Sequence, residues 1–186
     1  HTAWSTVVRL ITTGLILALM AGVAIKEATK HGKMIATAES CTGGLISSCL
    51  TAAAGSSTAF LCGFVTYANE AKTRLLGVPV DAISEFGAVS DIVAAAMAEG
   101  ALAHSGADMA VAVTGVAGPG GGTADKPVGL VFLSLAETGE DAVVKRYVFA
   151  GTRDDVRRST VGAALELILS RLREFDDEKN DEKTEA

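Results

Sequence analysis

One short turn holds the residues of this chain that are best suited to chemistry. Ser40, Cys41 and Thr42 lie together, and two glycines, Gly43 and Gly44, follow them directly. Apolar residues precede and follow this run, which predicts a strand, a tight turn and a helix. The first turn of a helix presents free N–H groups and a partial positive charge, which favour a phosphate or a developing oxyanion. A serine or cysteine placed there lies in a field that favours a nucleophile, whereas the alternative role is an ordinary N-cap.

A serine nucleophile needs a base, and a lysine is the best candidate in this sequence. The three histidines are scattered along the chain and give little support to a histidine-based triad. Lys72 follows an apolar stretch closely, so its stem can be buried while its amine faces the turn. Burial lowers the pKa of a lysine towards neutrality, which makes the amine a usable base. The alternative is a solvated lysine on a short helix.

Two other predicted strands also end in loops with candidate site residues. Ligands of open α/β sheets bind outside the carboxyl ends of the strands, so we expect these loops to meet near Ser40. The glycine-rich loop at 115–122 matches no known phosphate motif, although its N–H groups could form an anion-binding nest. Glu39 could orient neighbouring N–H groups. The remaining candidates from the loops and the last helix are Tyr67, Asn69, Thr114, Gly115 and Arg153.

The composition predicts one globular domain of the α/β class. The chain has 186 residues, of which 49% are hydrophobic, and its apolar runs alternate with glycine-rich turns. A net charge of −6 and scattered basic residues do not favour a nucleic-acid-binding protein. The three cysteines lack the spacing of a zinc site, so we expect no metal or other cofactor. Free thiols indicate a reducing compartment, the cytoplasm.

The apolar periodicity predicts the elements that position these residues. Strands are expected at 34–38, 59–67, 109–114, 128–136 and 143–149, in a mixed, mostly parallel sheet of about five or six strands. Helices are expected at about 14–29, 44–53, 70–76, 82–86, 91–104 and 153–175. The predicted helix caps are Asn69, Asp81, Ser90 and Thr152. The third strand is apolar without alternation and should lie in the centre of the sheet.

The two ends of the chain differ from the middle. Residues 10–25 carry no charge and are apolar nearly all round, which we interpret as a long first helix that packs on the sheet. A targeting segment is the alternative. From residue 176 the chain is charged, and we expect a solvated, disordered end. The predicted organisation is a helical segment of uncertain role at 1–33, one domain at 34–175 and a disordered tail at 176–186.

Several longer motifs resemble those of a known family. The run TAESCTGG at 37–44 is similar to the signature of the C-terminal domain of the competence/damage-inducible protein CinA. Similar runs follow in the same order, namely AGSS at 54–57, GFVTYANEAK at 63–72, FGAVS at 86–90, VTGVAGPGG at 113–121 and KPVG at 126–129. The resemblance covers about residues 34–172. The apolar segment before residue 34 departs from the family, whose first helix is usually shorter and more polar.

The resemblance implies a function as well as a fold. Stand-alone domains of this family are similar to nicotinamide-nucleotide amidohydrolases, which convert nicotinamide mononucleotide into nicotinate mononucleotide and ammonia in pyridine-nucleotide salvage. It also implies a three-layer α/β/α fold, no metal requirement, and homo-oligomers, with a dimer expected here. We expect no nucleic-acid or membrane partner. The family's serine, tyrosine, lysine, threonine and arginine fall on Ser40, Tyr67, Lys72, Thr114 and Arg153.

Together, the residues and the resemblance predict a serine amidase. Lys72 takes the proton of Ser40, Tyr67 relays a proton to the leaving ammonia, and N–H groups of the turn stabilise the oxyanion. The predicted substrate-binding residues are Cys41, Thr42, Gly43, Gly44, Thr114, Gly115 and Arg153. Cys41 is the rival nucleophile. The competing functions are a non-catalytic nucleotide-binding or competence- and damage-related partner module, and a phosphohydrolase, which the missing set of metal ligands disfavours.

Overall fold

Five strands form one sheet in the computed structural model, which describes residues 2–184, with the side chains of residue 7 and residues 11–177. The strands are β1 (Ile35–Glu39), β2 (Phe60–Val65), β3 (Met109–Gly115), β4 (Leu130–Glu137) and β5 (Val143–Val148). Their order across the sheet is β2–β1–β3–β4–β5. The number of strands agrees with the sequence prediction.

The sheet is mixed, as predicted. β1 pairs in parallel with β2 and β3, whereas β4 pairs antiparallel with β3 and β5. The prediction of a mostly parallel sheet is correct for strand direction, because β4 alone among the described strands runs opposite to the others. Of the four strand pairs, however, two are parallel and two are antiparallel. The carboxyl ends of β2, β1 and β3 lie side by side at one edge of the sheet.

Helices cover both faces of the sheet. The described α-helices are α1 (Thr2–Lys30), α2 (Leu45–Thr51), α3 (Asn69–Leu76), α4 (Val80–Phe86), α5 (Asp91–Ser105) and α6 (Arg153–Thr184). One buried cluster joins α1, α2 and α6 to one face, and a second joins α3, α4 and α5 to the other. The fold therefore has three layers, α/β/α.

The middle of the sheet is the most buried part of the molecule. All five residues of β1 are buried, as are the first six residues of β3. Strands buried on both faces show continuous apolar runs rather than alternation. The prediction that the third strand lies in the centre is confirmed. The edge strand β2 alternates between less and more exposed residues, and four of the six residues of the other edge strand, β5, are exposed.

Helix α1 is part of the domain rather than a separate segment. Four residues of its second half are buried against the sheet and α6, namely Ala21, Ala24, Ile25 and Ala28. The helix begins at Thr2, earlier than predicted, because no proline interrupts the apolar stretch and the two internal glycines meet no neighbour. Gly32 closes it in the left-handed conformation, at φ +63°.

One stretch of α1 is long and apolar enough to cross a membrane. It covers Ile11–Lys30 and has a mean hydropathy of 1.6, and 28% of it is buried inside the fold. Because the buried part belongs to the core, this stretch could leave the domain only at the cost of that core. On the other side of the helix, the exposed apolar residues are Ile11, Leu15, Ile16, Leu19 and Val23.

Two predicted helix caps are wrong and two are confirmed. Helix α3 begins at Asn69 itself, because the extended Ala68 precedes it, and Pro79 rather than Asp81 precedes α4. In neither case does a side chain cap the helix. Ser90 Oγ accepts a hydrogen bond from the N–H of Val93, and Thr152 Oγ1 accepts one from Asp155. Both are the predicted N-caps.

The last helix extends further than predicted. Instead of ending near residue 175 in a disordered tail, α6 continues through the charged segment to Thr184. Its lysines and glutamates are good helix formers, and unlike charges three or four residues apart support a helix. Asp176 also accepts a hydrogen bond from Lys30 Nζ at 2.8 Å, which fastens this part of α6 to α1. Residues 185 and 186 of the predicted tail lie outside the described residues.

Candidate active site

The turn after β1 presents Ser40 at the carboxyl edge of the sheet. The N–H of Ser40 donates to the carbonyl of Val113 on β3, and its carbonyl accepts from the N–H of Gly43 at 3.0 Å. Gly43 and Gly44 have φ values of +60° and +97°, which side chains rarely adopt. The tight turn between strand and helix is therefore present where the sequence predicts it, and the glycines are required by its backbone.

Glu39 organises this turn from behind. Its buried carboxylate accepts hydrogen bonds from the N–H groups of Ile46 and Ser47, from Ser47 Oγ, and from Thr42 Oγ1, at 2.6–2.9 Å. The prediction that Glu39 orients neighbouring N–H groups is confirmed. Two N–H groups at the start of α2 are thus occupied, so that part of the helix terminus is not free to bind an anion. This differs from the expectation that the first turn of the helix presents free N–H groups.

The backbone N–H groups that remain for a ligand are those of the turn itself. The N–H of Gly43 donates to the carbonyl of Ser40, so Gly43 is no longer a candidate oxyanion donor. The N–H groups of Cys41, Thr42 and Gly44 make no hydrogen bond to another described residue, and Thr42 is completely buried. N–H groups of this kind suit the oxygen of a reacting carbonyl.

Lys72 reaches Ser40 from α3. Its side chain is only 1% exposed, and its Nζ lies 3.1 Å from Ser40 Oγ, 2.8 Å from the carbonyl oxygen of Thr66 and 3.2 Å from that of Tyr67. Burial lowers the pKa of this lysine. Within the part of the chain that the structure describes, no carboxylate pairs with it. The alternative of a solvated lysine is therefore wrong.

Cys41 has the properties of a packing residue. Its thiol is buried, and burial is the main reason why its pKa is raised to about 11. The Glu39 carboxylate raises the pKa further, and the charges of Arg153 and Arg157 oppose this. The Sγ of Cys41 lies against Gly115, where an added Cβ would come within 3.2 Å of the sulfur and within 2.8 Å of the Leu130 carbonyl oxygen, so a glycine is needed there. A thiol that keeps its proton at neutral pH is a poor nucleophile.

Tyr67 and Arg153 are joined at the outer side of the site. Tyr67 is exposed, and its hydroxyl accepts a hydrogen bond from Arg153 Nη2 at 3.2 Å. Arg153 Nη1 donates to the carbonyl of Gly118 at 2.8 Å. The arginine thus connects the end of β2 with the glycine-rich loop after β3, and the three strand-end loops do meet, as expected from the sheet.

Thr114 lies at the end of β3, but its hydroxyl is directed to a neighbouring segment. It donates to the carbonyl of Ala88 at 2.7 Å, and the side chain is only 1% exposed. This bond holds the chain just before α5 against the sheet. A role of Thr114 in binding substrate stays a prediction.

Arg157 is the residue of this site that the sequence analysis missed. It lies one helical turn after Arg153 on α6, and its Nη2 donates to the carbonyl of Thr42 at 3.0 Å. The four-residue spacing, which places both side chains on one side of a helix, was the signal available in the sequence.

Size alone does not identify this site. A cleft of about 630 Å³ lies between α1, β5 and α6, away from Ser40. Its described lining contains no pair like Ser40 and Lys72. The chemistry of the side chains is therefore the better guide.

One group of described residues has the types of metal ligands, namely Glu27, His31 and Asp176. The ammonium group of Lys30 lies within 3.3 Å of Glu27 and 2.8 Å of Asp176. The Lys30 ammonium group thus already provides a positive charge beside the two carboxylates, and its contact with Asp176 joins α1 to α6.

Several curated relatives of this chain are named CinA-like protein. The chain is 56% identical over 143 residues to a CinA-like protein of Geobacter sulfurreducens, and 48% identical over 139 residues to a CinA-like protein of Leptospira biflexa. These stretches cover 77% and 75% of this chain, but 34% and 33% of the relatives. The chain therefore spans about a third of the length of the curated relatives it matches.

Solved structures show the same fold. The competence/damage inducible protein CihA from Agrobacterium tumefaciens superposes with a TM-score of 0.82 at 46% identity, over 84% of this chain and 95% of that one. A competence-damaged protein (CinA) superfamily protein from Escherichia coli gives 0.79 at 33% identity, over 82% and 88%. The profile of the CinA C-terminal domain matches residues 18–172. The chain belongs to the CinA C-terminal domain family.

Proposed function

We propose that this domain hydrolyses the carboxamide of nicotinamide mononucleotide to nicotinate mononucleotide and ammonia. The observation that carries the proposal is the buried contact between Lys72 Nζ and Ser40 Oγ, at 3.1 Å. A hydroxyl paired with a buried amine is the arrangement that a serine amidase without a histidine needs. The substrate is inferred from the resemblance of stand-alone family members to nicotinamide-nucleotide amidohydrolases.

The surroundings of Lys72 favour the neutral amine as the base. A neutral amine has two N–H donors and one lone pair, and two of its three neighbours are carbonyl oxygens, which only accept. When the two N–H groups donate to the carbonyls of Thr66 and Tyr67, the lone pair is left for the hydroxyl of Ser40. Burial, which lowers the pKa of the lysine, acts in the same direction.

The proposed reaction has two halves. Ser40 Oγ attacks the carboxamide carbon while its proton moves to Lys72 Nζ, and unpaired N–H groups of the Cys41–Gly44 turn stabilise the oxyanion. The C–N bond then breaks, and ammonia leaves with the proton from Lys72, directly or through Tyr67. In the second half, water attacks the ester carbon and gives a proton to Lys72, which returns it to Ser40 Oγ as the acid is released.

Arg153 is the proposed ligand for the substrate phosphate. It is exposed at the edge of the site, and its contacts with Tyr67 and Gly118 leave the planar guanidinium beside the glycine-rich loop. Guanidinium groups match the geometry of a phosphate. The hydroxyl of Tyr67 contacts Arg153, the proposed phosphate ligand, and its backbone carbonyl contacts Lys72, the proposed base. This position suits a residue near both ends of the substrate.

The decisive assay measures ammonia released from nicotinamide mononucleotide. The wild-type protein should release ammonia and no inorganic phosphate. Ser40→Ala should lower the rate by about 10³-fold or more, because no nucleophile remains. Ser48→Ala, a matched change at an exposed position of α2, should stay within about twofold. Near-normal turnover by Ser40→Ala would refute the serine mechanism.

The same assay separates the competing functions. Binding of the nucleotide without release of ammonia or phosphate would identify a non-catalytic module. Release of phosphate would identify a phosphohydrolase.

We place the reaction in the cytoplasm, since the three cysteines are free thiols, as is typical of a reducing compartment. A homodimer is the proposed assembly, and it rests on the family resemblance alone. Light scattering of the purified protein tests the assembly independently of the activity.

A further inference from the structure

Arg157 is bound to the Ser40 turn from the far end of the chain. Its Nη2 donates to the carbonyl of Thr42, and a Cβ added at Gly43 would lie 3.8 Å from the same nitrogen. The guanidinium therefore lies directly over the Thr42–Gly43 peptide. That peptide lies in the middle of the turn, whose N–H groups at Cys41, Thr42 and Gly44 make no hydrogen bond to another described residue.

The placement of Arg157 is costly for the folded chain. Its Nε is buried and has no hydrogen-bond partner among the described residues. A buried polar group without a partner costs about 1–3 kcal/mol, and more when it is charged. Groups of this kind in native structures often serve a catalytic or other special role. The contact with Thr42 therefore calls for a reason beyond stability.

The charge of Arg157 acts on the same turn. Together with Arg153 it favours the thiolate of Cys41, against the stronger effects of burial and of the Glu39 carboxylate. A field that favours negative charge on one atom of the turn also favours it on an oxyanion bound there. The Glu39 carboxylate opposes negative charge on the turn, and the charge of Arg157 acts against this effect.

We propose that Arg157 is a positioning residue of the amidase. It holds the Thr42–Gly43 peptide, and thereby the unpaired N–H groups of the turn, in place for the oxygen of the reacting carboxamide. This inference rests on the proposed function for its catalytic meaning, but the hold on the turn is a property of the folded chain. Arg157 contacts the turn and not the substrate, so its loss should affect kcat rather than KM.

The neighbouring arginine provides a matched control. Arg158 donates to Asp154 at 2.7 Å in a partly exposed ion pair on α6, and no described contact joins it to the Ser40 turn. Arg158→Met therefore removes the same charge from the same helix without touching the turn.

The kinetic test compares Arg157→Met, Arg157→Lys and Arg158→Met with nicotinamide mononucleotide. We expect kcat to fall about 10- to 100-fold in Arg157→Met, less than the 10²–10³ typical for the loss of an oxyanion donor itself, with KM changed less than about threefold. Arg157→Lys should recover part of the rate, because it restores the charge but not the planar fork. Arg158→Met should stay within about twofold.

Two kinetic results would overturn the proposal. One is an equal fall of kcat in Arg157→Met and Arg158→Met, which would mark a general effect of charge on α6. The other is a raised KM with unchanged kcat, which would make Arg157 a substrate ligand.

A second measurement does not depend on turnover. Hydrogen exchange of a peptide that covers residues 40–47 should be faster in Arg157→Met than in the wild type, and unchanged in Arg158→Met, at temperatures where thermal unfolding shows both variants folded. Unchanged exchange in Arg157→Met would overturn the positioning role. If the wild-type protein releases no ammonia, the proposed function fails, and this comparison still decides whether Arg157 holds the turn.

Discussion

Strand β1 and helix α1 are both rich in apolar residues, yet they have different surroundings in the fold. Every residue of β1 is buried, and the polar groups that follow it bind one another or a neighbouring element. Helix α1 buries one face in the core and exposes another, where Leu19 is 68% exposed. Apolar composition predicts full burial for a strand whose two faces are both covered. In a helix, the spacing of the apolar residues decides which face is buried.

The largest expected effect concerns the polar pair at the end of β1. Lys72→Met should lower the rate of ammonia release by about 10²–10⁴-fold, because it removes the base, whereas stability should be equal or higher, because a buried amine is replaced by an apolar side chain. Stopped assays and urea unfolding measure the two quantities. A variant that loses stability while it keeps its activity would make Lys72 a structural residue.

The pH dependence of stability and of kcat/KM tests the same lysine. The folded pKa of Lys72 is lowered from its ordinary value of 10.5, so the unfolded chain binds more protons between the two values. Stability should therefore rise with pH across that window, and kcat/KM should rise as the amine loses its proton at the lower value. The contribution to stability should vanish in Lys72→Met. A fall of kcat/KM across the lower value would contradict a neutral base.

The two faces of α1 sharpen the comparison further. Ile25→Ala should lower the free energy of unfolding by about 2–5 kcal/mol, because the side chain is buried in the core. Leu19→Ala, the matched change on the exposed face, should alter it by no more than about 0.5 kcal/mol. Urea unfolding of both variants measures the difference. Equal effects would show that the exposed face is covered in solution.

The smallest expected effect concerns Cys41. Cys41→Ala should keep ammonia release within about threefold, because the thiol, with a pKa of about 11, stays protonated at neutral pH. A loss of activity as large as that of Ser40→Ala, with the fold intact by circular dichroism, would reverse the roles of the two residues.

The sequence was informative where local rules apply. The turn at Ser40 was predictable because two glycines follow small hydroxyl residues between apolar runs, and Ser90 was predictable as a cap from its position before an alanine-rich stretch. Lys72 could be proposed as a base but not placed, since its burial depends on how α3 packs against the end of β1. The neighbours of Glu39 in the sequence suggested that its carboxylate orients N–H groups, but its four hydrogen bonds could be identified only from the fold.

Other features could not be read from the chain because they depend on distant partners. Arg157 stands in a charged segment that is typical of a solvated helix face, and only the docking of α6 directs it to Thr42. Asn69 has the right type for a cap, but the extended Ala68 takes the cap position and Asn69 is the first residue of the helix. Past residue 175, α6 is joined to α1 by the hydrogen bond from Lys30 to Asp176, and a contact between residues so far apart cannot be inferred from local sequence.

The attachment of the turn to α6 has a consequence for the order of folding. The contacts of Arg157 with Thr42 and of Arg153 with Tyr67 join residues 115 and 86 positions apart, so the loops acquire these restraints only after the last helix has been synthesised and has docked. Contacts of such separation form late, after local helices and turns. A nascent chain that already contains Ser40 and Lys72 therefore lacks an assembled site, and translation that stops before residue 153 yields a sheet without an organised edge.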